Sequence, residues 1–369
     1  MATTRHTVLG IMSGSSLDGL DLAVCDFTLS PGDPRPVREW SVKAAITDPY
    51  PDAWSDRLRS SGTLSAPDLW QLHAELGRYV GQRAAAFLGE YSSIYPLLVG
   101  YHGHTVFHEP AAGYTLQLGD GAQLAAAVEL PVVAELRGSD IAAGGQGAPL
   151  APVADRHLFP HHSIFLNLGG IANFSLRRPD DGLIAGDVTG CCQILDRLAR
   201  ERGHAYDADG ALARSGTFLP ELAERADALP YHARPYPKSL SNQWVVDTLW
   251  PLFRDHPAAT EDRLATFTRW MAGRIAGDLT TQVRAGQEAG KEGQVLVTGG
   301  GARNGFLIEC LGARAPDLRF VTADDKTGDF KEAALVALCA LFRREGIPNS
   351  LAAATGAARD TINGALYAG

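Results

Sequence analysis

The N-terminal segment of this 369-residue chain leads from a short apolar stretch directly into a loop of small residues. Thr7, Val8 and Leu9 precede residues 10–19, which read GIMSGSSLDG. Small residues leave backbone N–H groups accessible, and such groups at the end of a strand bind phosphate oxygens. The loop matches neither the Walker P-loop nor the dinucleotide-binding glycine pattern. An ordinary hairpin turn is the alternative, because small residues are also frequent in turns.

Two further junctions between a strand and glycines favour phosphate binding. Residues 164–174, IFLNLGGIANF, read as a strand, a glycine pair and a second strand. Residues 294–304, QVLVTGGGARN, read as a buried strand that ends in three glycines, with Asn304 placed to begin a helix. Three such junctions in this order indicate two phosphate loops and a nucleotide-binding turn. This is the layout of the actin-like ATPase and sugar kinase superfamily, in which two related domains enclose ATP.

The sequence therefore predicts ATP contacts at all three junctions. Asp18 is the candidate ligand of a Mg²⁺ ion that accompanies ATP, because a carboxylate beside a phosphate needs a cation to balance its charge. The predicted phosphate- and nucleotide-binding residues are Ser13, Gly14, Ser15, Ser16, Asp18, Gly19, Gly169, Gly170, Gly299, Gly300 and Gly301.

The charge and cysteine content of the chain indicate which binding partners and which cellular compartment to expect. A net charge of −9 argues against nucleic acid or an anionic membrane as the binding partner. The five cysteines include no Cys-x-x-Cys pair, which favours a reducing cytosol over a disulfide scaffold. Neither a signal-peptide block nor an apolar run of membrane-spanning length is evident, so we expect a cytoplasmic protein.

Alternating strand and helix patterns predict a layered α/β fold with two domains, each large enough for its own core. Strands are predicted over residues 20–29 and 37–45, and a helix over 64–88. We expect the first domain to comprise residues 1–160 together with 350–369, and the second to comprise 161–349. The glycine-rich segment 137–150 is predicted to be a loop that lines a cleft.

Short motifs along almost the whole chain carry a specific resemblance. The matching stretches are GIMSGSSLDGLD at 10–21, HGHTV at 102–106, TLQLGD at 115–120, RGSDIAAGGQGAPLAP at 137–152, NLGGIAN at 167–173, PKSL at 237–240, TGGGARN at 298–304, DFKEA at 329–333 and ATGAAR at 354–359. In these motifs the chain resembles the anhydro-N-acetylmuramic acid kinases, which recycle bacterial cell-wall sugar. The segment RGSDIAAGGQGAP is the most specific, because the wider superfamily lacks it.

The resemblance implies a fold of two actin-like, ribonuclease H-like lobes, with ATP and sugar in the cleft between domains. It implies that water opens 1,6-anhydro-N-acetylmuramic acid at the anomeric carbon and that the freed 6-oxygen takes the γ-phosphoryl group of ATP. The product is N-acetylmuramic acid 6-phosphate. ATP and Mg²⁺ are the implied cofactors, and a homodimer is one assembly found in the family.

The resemblance also implies a catalytic base. Asp187 aligns with the family's base, an aspartate that precedes a helix. The family's proline and asparagine after it are replaced here by Cys191 and Cys192. This change leaves open a different sugar substrate. The alternative role for Asp187 is to cap the following helix, and Asp196 is the competing carboxylate.

The remaining predicted residues concern the sugar. A guanidinium in the loop of an acidic protein can hold the lactyl carboxylate, so Arg137 is a candidate ligand. A surface ion pair between Arg137 and Asp140 is the alternative. Glu332 is a second candidate from the resemblance, and a helix-start pair with Asp329 is its alternative. The predicted substrate-binding residues are His102, Gly103, His104, Thr105, Arg137, Asp140 and Glu332.

Two other functions remain open at this point. One is a kinase of another sugar in the same superfamily, since the loop after Asp187 departs from the family pattern. The other is a nucleotide-binding regulator without catalysis, which the presence of Asp187 disfavours.

Overall fold

The protein was analysed as a computed structural model that describes residues 3–13, 17, 19–30, 32–178, 182–286 and 293–369. The strands are β1 (Thr4–Ser13), β2 (Gly19–Leu29), β3 (Val37–Pro49), β4 (Leu98–Tyr101), β5 (His104–Glu109), β6 (Tyr114–Leu118), β7 (Val132–Ala134), β8 (Ile164–Leu168), β9 (Ile171–Arg177), β10 (Leu183–Gly190), β11 (Gly293–Thr298), β12 (Leu318–Thr322) and β13 (Ala365–Tyr367).

Helices occupy most of the remaining chain. They are α1 (Asp52–Arg59), α2 (Ala66–Glu90), α3 (Gly121–Val128), α4 (Gly138–Ala142), α5 (Ala151–His157), α6 (Cys192–Arg200), α7 (Ala211–Ser215), α8 (Pro220–Asp227), α9 (Asn242–Trp244), α10 (Trp250–Arg254), α11 (Thr260–Gly286), α12 (Gly305–Arg314), α13 (Asp325–Glu345) and α14 (Ala352–Thr355). Single 3₁₀ turns cover Ser61–Thr63, Pro110–Ala112, Ala208–Gly210, Pro230–Ala233 and Gly300–Arg303, and a π turn covers Val245–Leu249.

The chain divides into two compact units. Unit 1 comprises Met1–Pro160 and Phe330–Gly369, and unit 2 comprises His161–Asp329. Each unit is built around its own sheet, as the composition predicts.

The main sheets of the two units share a common arrangement of five strands. In unit 1 the strand order is β13-β7-β4-β1-β2-β3, and in unit 2 it is β10-β9-β8-β11-β12. In each unit three consecutive strands are antiparallel, and the first of them is followed on its other side by two parallel strands. This repeated arrangement confirms the predicted α/β fold with two lobes of the actin-like type.

The sheet of unit 1 is covered on both faces, because successive residues of a strand point to opposite sides. Val8 belongs to a buried cluster that includes the apolar face of α13. Leu9, the next residue, belongs to a second cluster with α2. The predicted helix over 64–88 is α2, and its buried residues Leu72 and Leu76 lie in that second cluster.

Two glycines bring α13 close to this sheet. A Cβ atom on Gly10 of β1 would lie 1.8 Å from the carbonyl oxygen of Ala333, and one on Gly100 of β4 would lie 2.5 Å from that of Val336. Residues 330–349, which the sequence assigned to the second domain, therefore pack in unit 1. The helix begins at Asp325 and is kinked at Phe330, and the Asp329 carboxylate accepts a hydrogen bond from Nη2 of Arg303 at 2.5 Å.

Unit 2 has a single core centred on the long helix α11. Phe267, Met271, Ile275 and Leu279 recur every four residues and are fully buried. Asn304 begins α12 as predicted, with its side chain accepting a hydrogen bond from the N–H of Leu307 at 3.0 Å. Of the helices in the described residues, none is long and apolar enough to span a membrane.

Candidate active site

Asp187 lies on β10, next to a β-bulge that shifts the register between Asp187 and Thr189. Its side chain is half-buried. Oδ2 accepts a hydrogen bond from the main-chain N–H of Leu240 at 2.7 Å. Oδ1 has no hydrogen-bond partner among the residues that the structure describes, so one carboxylate oxygen is held and the other is free.

The main chain of Asp187 is held by the same segment of unit 2. Its N–H donates to the carbonyl of Lys238 at 2.9 Å, and its carbonyl accepts from the hydroxyl of Tyr231 at 2.7 Å. We call residues 231–240 the clamp segment, because three hydrogen bonds join it to Asp187. These bonds fix both the position of the residue and the direction of its carboxylate.

The surroundings of Asp187 suit a proton acceptor. Burial raises the pKa of its carboxyl above the ordinary value, and the hydrogen bond from Leu240 partly opposes this rise. A carboxylate whose pKa is raised toward neutral pH is a stronger base. The capping alternative does not hold, because α6 follows Cys191 without a side-chain cap. Asp196 lies within α6, where burial also raises its pKa and Arg200 opposes the rise.

The glycine pair of unit 2 forms the turn between β8 and β9. The carbonyls of Gly169 and Gly170 accept hydrogen bonds from the N–H groups of Cys192 and Cys191, at 3.0 and 2.8 Å. The N–H groups of both glycines donate to no group in the described part of the chain. The turn therefore offers two adjacent donors, as a phosphate site requires. A contact with Cys192 and burial raise the pKa of Cys191, so the pair consists of packed thiols.

The triple-glycine turn lies beside the end of β8. Gly299 has φ +85°, and a Cβ atom there would lie 2.8 Å from the carbonyl oxygen of Leu168. A Cβ on Gly301 would lie 2.8 Å from the side chain of the same leucine and 3.2 Å from the sulfur of Cys192. Gly300 is exposed and would meet no protein atom within 4 Å. Two of the three predicted glycine sites therefore lie together in unit 2.

The first predicted phosphate loop belongs to unit 1 and is described only in part. Gly14, Ser15, Ser16 and Asp18 lie outside the described residues. The Ser13 hydroxyl is 2.8 Å from that of Tyr50, and Ser13 is only 3% exposed, so its hydroxyl is engaged inside the unit. A Cβ on Gly19 would lie 2.5 Å from the carbonyl oxygen of Asp48, which gives this glycine a packing role between β2 and β3.

Arg137 of unit 1 is oriented by His102 and by the loop that follows. Its Nε and Nη2 lie 3.1 and 2.8 Å from Nε2 of His102, and its Nη1 donates to the carbonyl of Gly147 at 2.7 Å. Nδ1 of His102 lies 2.9 Å from the carbonyl of Gly103 and therefore carries the ring proton. Burial, together with the charge of Arg137, lowers the pKa of His102 to about 3.

Glu332 lies within electrostatic range of Arg137. Its pKa is raised, first by the low polarity of its surroundings and then by the charge of Asp21, while Lys331 and Arg137 oppose the rise. Glu332 is itself an exposed residue of α13. The sequence assigns both residues to the sugar site, and that assignment stays a prediction.

The contacts of Asp140 differ from the prediction that it binds the substrate and from the alternative that it pairs with Arg137. It is fully buried, and its Oδ1 accepts hydrogen bonds from the hydroxyls of Ser350 and Thr355, each at 2.8 Å. Its Oδ2 accepts from the N–H of Gly147 at 2.8 Å. Both oxygens are engaged, so Asp140 ties the glycine-rich loop to the C-terminal segment.

The other predicted sugar residues differ in exposure. Gly103 has φ +82°, and a Cβ there would lie 2.8 Å from the carbonyl oxygen of Leu118, so the backbone requires glycine. His104 is 8% exposed, and its Nδ1 has no hydrogen-bond partner among the residues described. Thr105 is exposed, and its hydroxyl accepts a hydrogen bond from the Gln117 side chain at 3.3 Å.

Sequence reasoning missed the residues that hold Asp187. Leu240 contributes a main-chain N–H and Tyr231 a hydroxyl, 53 and 44 residues from the aspartate. No local pattern links positions this far apart. The PKSL motif at 237–240 was the available signal, because it marked this segment before its contacts were known.

Comparisons with known proteins identify the family of this chain. The family model described as anhydro-N-acetylmuramic acid kinase matches residues 6–369. A protein of that name from Nitrosospira multiformis is 34% identical over 377 residues, covering 97% of this chain and 98% of the relative. Another, from Actinobacillus pleuropneumoniae serotype 3, is 32% identical over 382 residues and covers 99% of both chains.

A third relative of the same name, from Aliivibrio fischeri, is 31% identical over 370 residues, covering 97% of this chain and 98% of the relative. These matches extend over nearly the full length of both proteins. The chain belongs to the anhydro-N-acetylmuramic acid kinase family.

Proposed function

We propose that this chain uses water to open the internal bridge of 1,6-anhydro-N-acetylmuramic acid and transfers the γ-phosphoryl group of ATP to the freed oxygen. The oxygen of water bonds to C1 as the C1–O6 bond breaks. O6 bonds to the γ-phosphorus as ADP leaves. The products are N-acetylmuramic acid 6-phosphate and ADP, and the proton lost by water balances the reaction.

The observation that carries this proposal is the state of the Asp187 carboxylate. Water is a weak nucleophile, so a base must take its proton as it attacks C1. Oδ2 is fixed by Leu240, whereas Oδ1 is free to accept a proton. Burial raises the pKa of this group, which strengthens it as a base at neutral pH.

The nucleotide is proposed to bind at the two glycine turns of unit 2. The free N–H groups of Gly169 and Gly170 suit phosphate oxygens, and the open space at Gly300 suits the close approach of adenosine. The described residues contain no group of three His, Cys, Asp or Glu side chains that could hold a metal ion. Mg²⁺, which neutralises phosphate charge when bound, is proposed to accompany ATP, and Asp18 remains its candidate ligand from the sequence.

Arg137 is proposed to hold the lactyl carboxylate of the sugar. Three of its N–H groups are engaged by His102 and Gly147, which leaves two N–H groups for a ligand. Glu332 is proposed to contact the sugar close by. The partners are thus ATP and a small sugar in the cytoplasm, with no role for nucleic acid or membrane; a homodimer remains a prediction from the family resemblance.

Isotope labelling tests the reaction directly. With ATP, the anhydro sugar and ¹⁸O-labelled water, we expect one heavy oxygen at C1 of the product and none in its phosphate. Mass spectrometry of the product before and after dephosphorylation locates the label. ATP binding without turnover on any anhydro sugar would identify a regulator instead. Turnover only on a different sugar would show that the loop containing Cys191 and Cys192 has changed the specificity.

A further inference from the structure

The clamp segment that holds Asp187 is itself anchored by a buried cation. The side chain of Lys238 is 3% exposed, and its Nζ lies 3.8 Å from Oδ2 of Asp278 on α11. Nζ also donates to the carbonyl of His232 at 3.4 Å. It lies over the rings of Tyr231 and Tyr236, 5.0 and 4.5 Å from their centres. The ammonium group is therefore enclosed by residues of the clamp segment on one side and by α11 on the other.

Asp278 contacts three side chains, those of Lys238, Tyr236 and Arg274. Its Oδ2 accepts a hydrogen bond from the hydroxyl of Tyr236 at 2.7 Å, and its Oδ1 accepts one from Nη2 of Arg274 at 2.6 Å. Nη2 of Arg274 also donates to the carbonyl of His232 at 3.2 Å. Three positions of the clamp segment are thus joined to one helix through two neighbouring side chains.

Stability alone does not explain this arrangement. Burying an ammonium group is unfavourable, and a buried ion pair is often no more stable than apolar residues of the same volume. Burial indeed lowers the pKa of Lys238, while Asp278 opposes this change. The ion pair contributes positional specificity, because it fixes one register of residues 236–240 against α11.

We propose that Lys238, through its contact with Asp278, is a positioning residue that keeps the Leu240 N–H on Oδ2 of Asp187 and leaves Oδ1 free. This role rests on the proposed function of Asp187 as the base. Lys238 acts through the clamp segment: its main-chain carbonyl accepts a hydrogen bond from the N–H of Asp187, and its side chain holds the segment that ends in Leu240.

The proposal has a signature that a purely structural role lacks. The pKa of Asp187 is set by burial and by the Leu240 hydrogen bond, and the charge of Lys238 is not among its causes. Loosening the clamp segment weakens the Leu240 bond, so the pKa of the base should rise. A shift in the acidic limb of the activity profile would therefore report movement of the clamp segment and not the loss of a nearby charge.

The test is Lys238→Met in the full chain, which keeps an unbranched side chain one atom shorter and removes its charge. We expect turnover to fall roughly ten- to a hundredfold, as for a small misplacement of a reacting group. KM for ATP should stay unchanged. The acidic limb of kcat/KM should move up by about half to one pH unit, as loss of a hydrogen bond to a charged group predicts.

Tyr236→Phe and Arg263→Met complete the design. The first removes only the hydroxyl that donates to Asp278 and should shift the acidic limb in the same direction by less. The second removes another buried cation of α11, paired with Glu201, and should lower stability without moving the limb. If Lys238→Met does not fold, Tyr236→Phe decides the question.

The outcomes separate this proposal from the one on which it rests. If Asp187→Asn abolishes turnover while Lys238→Met and Tyr236→Phe both keep the wild-type acidic limb, the positioning role is overturned and the base is not. If Asp187→Asn turns over normally, the base is elsewhere and the positioning role is overturned with it. A shift of the limb in Arg263→Met equal to that in Lys238→Met would also overturn the positioning role.

Discussion

His102 and Arg137 make a two-point contact in which one imidazole nitrogen faces Nε and Nη2 of the guanidinium at 3.1 and 2.8 Å. The imidazole is neutral, because its pKa is about 3. It therefore orients the arginine and leaves its charge in place. A carboxylate partner would instead cancel that charge. Arg137 keeps a full positive charge and two N–H groups for an anionic ligand.

Replacement of Arg137 should remove a preference for acidic sugar. Wild type should favour 1,6-anhydro-N-acetylmuramic acid over 1,6-anhydro-N-acetylglucosamine, which lacks the lactyl group. In Arg137→Ala this ratio of kcat/KM values should fall roughly ten- to a hundredfold, the range for a hydrogen bond to a charged group. Arg78→Ala, an exposed arginine of α2, is the control. An unchanged ratio in Arg137→Ala would place the carboxylate-binding cation elsewhere.

The buried His102 should make the stability of unit 1 depend on pH in the acidic range. Its folded pKa, about 3, lies below the ordinary value of 6.5. As pH falls below 6.5 the unfolded chain takes up a proton that the folded state refuses, so stability is lost. Between pH 7 and pH 5 this loss is about 2 kcal/mol. In His102→Gln, the free energy of unfolding should fall by that much less over this pH interval. Hydrogen exchange of the amides of β1 and β4 in urea measures this free energy.

The exposed His204 supplies the control for this measurement. His204→Gln should show the same loss of stability on acidification as the wild type. An equal loss in His102→Gln would mean that this imidazole is protonated in the folded protein.

Asp187→Asn should bind ATP normally and lose at least about a hundredfold in turnover, the lower end for general base catalysis. The amide keeps the shape of the side chain and can still accept the Leu240 hydrogen bond, but it cannot take a proton from water. Steady-state kinetics with nucleotide binding by calorimetry checks both parts. Asp196→Asn, which alters the other half-buried carboxyl, should retain turnover. If Asp196→Asn loses turnover and Asp187→Asn retains it, Asp196 is the base.

A substitution at Gly300 tests the proposed nucleotide site without disturbing the fold. A methyl group there meets no protein atom within 4 Å, so Gly300→Ala should keep the stability of the wild type. If adenosine lies against this turn, the variant should bind ATP roughly tenfold more weakly, as expected for a clash or lost contact of about 1.4 kcal/mol. Gly312→Ala on α12, also in open space, should bind ATP as the wild type does.

The strands and glycine junctions were predictable because they depend on local patterns. Alternation and small residues mark the ends of β1, β8 and β11, and Asn304 carries a capping side chain. The domain boundary was not predictable in this way. The apolar face of α13 shows that the helix is buried, but it takes the close approaches at Gly10 and Gly100 to show which sheet it covers.

The roles of two aspartates depended on distant parts of the chain. Asp140 reads as a ligand in a signature loop, yet its partner Ser350 is 210 residues away. The resemblance identified Asp187 as the base, and the clamp segment that orients it became visible only in three dimensions. Partners this remote leave no periodic signal near the residue they serve.

The position of α13 also determines the order in which the chain can fold during synthesis. Unit 2 is an uninterrupted stretch, whereas unit 1 needs both Met1–Pro160 and Phe330–Gly369. On the ribosome, β1 and β4 emerge long before the helix that covers one face of their sheet. Translation therefore leaves the N-terminal sheet half-covered while the whole of unit 2 is made. During that interval its apolar face is exposed, and transiently exposed apolar surface is prone to aggregation.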